Sequence, residues 1–89
     1  MKAVLTVIGQ DKIGIIYNVS GVLAEYDVNI LDINQTIMQE VFTMIMIVDT
    51  SKCPVSFEDL QNKLEEKGRE IGMNIRLQHE GIFKATSEL

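Results

Sequence analysis

Val41-Phe42-Thr43-Met44-Ile45-Met46-Ile47-Val48 is apolar at seven of its eight positions, with no glycine or proline to interrupt it. A run of this length, rich in β-branched and aromatic residues, reads as a strand. Because the apolar character does not alternate, the strand is expected to be a central one in a sheet. Residues 2–8 (KAVLTVI) read the same way, so two central strands are expected. Between them, residues 28–38 alternate, with Leu31, Ile33 and Ile37 on one face and Asp32, Asn34 and Thr36 on the other. That is the pattern of a half-solvated strand at a sheet edge. Gln39 and Glu40 leave room only for a tight hairpin into residues 41–48.

The first connection has the other periodicity. After Gly9, Ile15 or Ile16, Val19, Val22 or Leu23, and Tyr26 fall on one 3.6-residue stripe, which predicts a helix packed on the core. Asp11 is the expected N-cap, and Asp27 ends the run. Downstream, residues 49–55 with Pro54 form a loop, and Ser56 caps a second helix with Asp59 as its capping-box partner. The stripe there is Phe57, Leu60, Leu64 and Ile71. Glu65 and Arg69 form an i,i+4 pair on the wet face, and Gly72 terminates the helix. Residues 73–80 are the fourth strand, with Met73, Ile75 and Leu77 inward. Residues 81–89 carry little pattern and receive no assignment.

The order is βαββαβ. With right-handed crossovers it gives an α+β fold, a ferredoxin-like sandwich with a four-stranded antiparallel sheet and two helices on one face. This topology places the first and third strands in the centre, where the apolar runs require them. Eighty-nine residues are expected to make a single domain, 1–89. One surplus remains, because two helices can cover only one side of the sheet. Phe42, Met44 and Met46 stand on one side of the third strand and Ile45 and Ile47 on the other. Phe42, Met44 and Met46 are expected to be the set left in water, and an exposed apolar row of this kind predicts a homodimer or larger assembly.

Composition narrows the function. Eight basic and thirteen acidic residues give a net charge of −5, which opposes direct nucleic-acid binding. No apolar run approaches the roughly 20 residues that span a bilayer, so no membrane association is expected, and the single cysteine fits a cytoplasmic location. Cys53 has no adjacent base, His79 has no partner at triad or metal-ligand spacing, and the two arginines lie far from the first loop. No catalytic constellation, metal site or cofactor is expected. The remaining candidate is the turn Gln10, Asp11, Lys12, Ile13 and Gly14, which reads either as an ordinary capped turn, with Asp11 holding helix amides, or as a ligand loop. Its glycine lets a ligand approach the backbone, and the helix that follows presents amides suited to a carboxylate. Asn29, at the start of the second strand, adds an amide that can both donate and accept.

Asp11, Gly14 and Ile15, then Val19, Leu23 and Ala24, then the Val28-Asn29-Ile30 step resemble the first half of an ACT domain. Asp32-Ile33-Asn34-Gln35-Thr36 is similar to a stand-alone ACT family related to the halves of the glycine-cleavage repressor. Ile13 stands where many members have proline. The resemblance implies a non-catalytic regulatory module that binds a small ligand, an amino acid in many members, at a subunit interface. It also implies that Gln10, Asp11, Lys12, Ile13 and Gly14 line the ligand through their amides, with Asn29 reaching across from a second subunit. Asp32, Asn34 and Gln35 are further candidates. A protein-interaction subunit with the same fold and no ligand stays open as the alternative.

Overall fold

The two apolar runs lie side by side at the centre of the sheet. In the computed structural model, which describes residues 1–82, the elements are β1 (Lys2–Gln10), α1 (Ile15–Glu25), β2 (Asn29–Met38), β3 (Val41–Asp49), α2 (Phe57–Ile71) and β4 (Asn74–His79). The strands are arranged β2-β3-β1-β4, each antiparallel to its neighbours. This is the ferredoxin-like βαββαβ sandwich. A helical turn at residues 80–82 follows β4; residues 83–89 of the unassigned tail lie outside the described residues.

The core sits between the sheet and the helices. Ala3, Leu5 and Val7 of β1 face Met44, Met46 and Val48 of β3, and Ile75 and Leu77 of β4 extend the row. Ile15, Val19, Val22 and Leu23 descend from α1, and Leu60 and Leu64 from α2. Leu5, Leu23, Leu60 and Leu64 are wholly buried, each contributing about 1.5–3 kcal/mol relative to exposure. Ile16 is 41% exposed, so the α1 stripe begins at Ile15.

The surplus on β3 is real, but it is the other set. Phe42, Met44 and Met46 are 3%, 0% and 0% exposed, beneath the helices. Val41 and Ile45 stand on the open side, and Ile8 and Met38 extend that exposed row on the neighbouring strands. The physical reason is shape. Long, flexible Met and Phe side chains fill the uneven space under two helices, whereas β-branched side chains suit the flat outer surface of a sheet.

Two capping expectations divide. Ser56 Oγ accepts from the Asp59 amide at 3.0 Å, so α2 starts as read. α1 is capped by Gly14, with no side-chain bond, rather than by Asp11. On α2, Lys67 pairs with Glu70 at 3.3 Å, and Glu65 and Arg69 do not form the anticipated ion pair.

Candidate functional site

The route from β1 to α1 passes through residues 10–14, and three tethers fix it. The Asp11 amide donates to the Glu40 carbonyl at 2.7 Å, tying the loop to the β2–β3 turn. Lys12 Nζ donates to the Ile71 carbonyl at 2.8 Å, tying it to the last turn of α2, where a cation also complements the helix dipole. Gly14 then adopts φ 88°, ψ 7°, a left-handed conformation that glycine takes without a Cβ penalty. Its carbonyl accepts from both the backbone amide and the side-chain Nδ2 of Asn18. Ile13 projects into solvent at the tip.

This geometry leaves the start of α1 open. No side chain caps it, and no acidic residue occupies its first turn. The amides there are therefore free to receive an anion, reinforced by the helix dipole. They border a hollow of about 330 Å³ lined by Asp11, Lys12, Gly14, Ile15, Ile16, Tyr17, Gln35, Ile37 and Phe42. Its floor is apolar, and Tyr17 and Ile37 stand 81% and 55% exposed on its rim.

The outer wall of the hollow is β2, an edge strand whose residues 31–38 are all exposed. A bulge between Ile30 and Asp32 resets its register, so Ile33, Gln35 and Ile37 share the helix side with Met46, Met44 and Phe42. The helices do not reach far enough to cover that row. Gln35 thus enters the hollow, whereas Asp32 and Asn34 pair with Ile47 and Ile45 on the open side of the sheet.

Of the sequence-derived residues, the fold gathers Asp11, Lys12 and Gly14 at the hollow, whereas Gln10 ends β1 opposite Val41 and Ile13 points into solvent, neither lining it. Lys12 spends its ammonium on α2. Asn29 is elsewhere: it lies opposite Asp49, which lies opposite Lys2, at the far end of β1 from Gln10. At about 3.3 Å per residue the separation within one chain is roughly 27 Å. Tyr17, Ile37 and Phe42 escaped the sequence reading. Tyr17 was legible as a large aromatic off the buried stripe of α1.

The other titratable groups have structural surroundings. His79 stacks on Phe57, ring centroids 3.8 Å apart and nearly parallel. Cys53 is half-buried in a separate hollow of about 120 Å³ beside Met1, Val55 and Leu60. Asp49 accepts from the Ser51 amide and from the N-terminal ammonium, and these bonds, Ser51 first, lower its pKa to about 2. Among the described residues no three His, Cys, Asp or Glu side chains converge to hold a metal ion, and no helix is long and apolar enough to cross a membrane.

The described residues thus define a ferredoxin-like βαββαβ sandwich with an open helix start beside a bare edge strand, a fold whose role is decided by its family rather than by its architecture. The family model described as ACT domain matches residues 2–78, and this chain belongs to the ACT family. It is 55% identical over 89 residues to a UPF0237 protein of Clostridium acetobutylicum, with both chains covered in full. Among solved structures it is similar to an ACT domain protein from Streptococcus pneumoniae, at 42% identity and a TM-score of 0.82, covering 93% of each chain. It also shares its fold with a structure described as a glycine cleavage system transcriptional repressor. That likeness has 22% identity and a TM-score of 0.76, over 86% of this chain and 44% of the other. ACT domains are regulatory, ligand-binding modules.

Proposed function

We propose that this chain is a non-catalytic regulatory protein that binds an amino acid in the hollow at the start of α1, in a homodimer that completes the site. The observation that carries the reading is the uncapped α1 terminus opening onto a small, partly apolar hollow. The ligand carboxylate meets the amides of Ile15 and its neighbours, its ammonium faces Asp11, and its side chain rests on Ile16, Tyr17 and Ile37. Gln10, Lys12, Ile13 and Gly14 shape the loop that holds it.

The bare edge of β2 supports the dimer. Two copies pairing antiparallel about a two-fold between Ile33 and Asn34 set Asn29 of one copy opposite Met38 of the other. Met38 leads into the turn whose Glu40 carbonyl holds Asp11. Asn29, remote from the loop in its own chain, arrives beside the loop of its neighbour.

A thermal-shift screen of the twenty amino acids tests this, since a ligand that binds only the folded state raises its melting temperature. One amino acid is expected to stabilise the protein, and Asn29→Ala is expected to weaken that effect while leaving the dimer intact. Unchanged affinity would remove Asn29 from the site. The exposed row of Ile8, Met38, Val41 and Ile45 favours the second reading, an interaction subunit without a small ligand. Absence of any stabilising amino acid, together with a stable protein complex through that face, would select it.

A further inference from the structure

The chain has two arginines, Arg69 and Arg76, and the fold brings both to one groove. Arg69 sits in the last turn of α2, Gly72 turns the chain at φ 74°, and Arg76 follows on β4. Together with Glu65, Met73, Asn74 and Ile75 they line a hollow of about 430 Å³ along β4, the sheet edge remote from β2. Met73 and Ile75 are buried and give it an apolar floor. Both arginines are exposed, and neither makes an ion pair among the described residues, where the pairs formed are Met1–Asp49 and Lys67–Glu70. This is unexpected in a chain of thirteen acidic residues, with Glu65 in the same groove four positions before Arg69. Arg69 comes from α2 and Arg76 and Asn74, opposite Thr6 and Ile8, from the open side of the sheet, so the two arginines flank the β4 edge and an anion there meets positive charge from both. Their planar forks suit a bidentate oxyanion, and the Asn74 amide can donate a further bond.

We propose that the groove between α2 and β4 is a second binding site, separate from the hollow at α1, for a small metabolite bearing a phosphate or a pair of carboxylates. The ligand is small rather than a nucleic acid, because Glu65 lines the groove and the net charge of −5 repels a polyanion. Glu65 opposes the ligand's charge and so limits the affinity.

The test is an amide-resolved NMR titration of the full chain with inorganic phosphate, pyrophosphate and succinate in separate arms. Saturable shifts centred on Arg69, Asn74 and Arg76 are expected, and the tighter arm distinguishes a phosphate from a dicarboxylate ligand. Arg69→Gln and Arg76→Gln are each expected to weaken binding about tenfold, as loss of a charged hydrogen-bonding partner does. Glu65→Gln is expected to strengthen it. All three positions are exposed, and unchanged circular dichroism and amino-acid response would show the fold and the α1 hollow intact. Lack of saturation in all arms at about 10 mM, beyond the millimolar range of weak specific binding, would overturn the proposal. So would binding insensitive to both arginine substitutions, or shifts centred on the loop of residues 10–14.

Discussion

Gly68 shows how one missing side chain sets the approach of two elements. A Cβ built there would lie 2.6 Å from the Met73 carbonyl oxygen and 3.0 Å from an Ile75 side-chain carbon. α2 can therefore descend onto the start of β4 only because residue 68 is glycine. Helix propensity alone favours Gly68→Ala by up to about 1 kcal/mol, whereas forcing a methyl into a packed contact costs about 1–3 kcal/mol. Gly68→Ala is expected to lower the urea midpoint, and a rise would show that the contact relaxes freely. Asp49 makes a second residue-scale prediction. Its folded pKa of about 2 lies below the ordinary carboxylate value, so its stabilising effect is fully present above about pH 3.9. That effect is lost as the pH falls through about 2. Denaturation midpoints of the native protein and Asp49→Asn are expected to differ at neutral pH and to converge below pH 2. A difference that persists at low pH would mean that the bonds to Ser51 and the N-terminus are not its source.

At the scale of elements, the β2–β3 hairpin carries stored strain. Gln39 and Glu40 both have positive φ, 52° and 71°, in a two-residue turn that is ordinarily Asn-Gly. A non-glycine residue in the left-handed region costs roughly 1 kcal/mol. The double substitution Gln39→Asn, Glu40→Gly is therefore expected to stabilise the protein by about 1 kcal/mol in chemical denaturation, and no gain would refute the strain. The hairpin itself was legible from its length. The start of α1 was not: Asp11, an excellent N-cap by type, uses its backbone amide on Glu40, and Gly14 takes the cap position. Side-chain preference for a cap is a local signal, and a tether between loops distant in sequence outweighed it.

For the whole molecule, the proposed homodimer has two candidate surfaces. The edge of β2 and the open sheet face are both exposed and apolar. Ile33→Asp places two carboxylates near the proposed two-fold of the edge pairing, and Ile45→Asp places one in the open face. Sedimentation of the native chain of 10.0 kDa is expected to give a species of twice that mass. Ile33→Asp is expected to return it to monomer and Ile45→Asp to leave it dimeric. The reverse pattern would assign the interface to the face. Both side chains are 38–44% exposed in one copy, so the substitutions test association with little cost to the core.

By itself the sequence determined the order of the elements and the identity of the two central strands, because unbroken apolar runs suit the middle of a sheet better than its solvated edge. It also singled out the loop of Gln10, Asp11, Lys12, Ile13 and Gly14 as a candidate, because glycine before a helix is a local feature. Only the tertiary structure decided which side of β3 lies under the helices, since alternation defines two sets of side chains without saying which is covered. It also decided that Gln35 and Ile37 meet that loop, and that Arg69 and Arg76 share one groove. Those juxtapositions depend on strand register, on the bulge after Ile30 and on the turn at Gly72. Packing between segments far apart in the chain sets such contacts, and no local period records them.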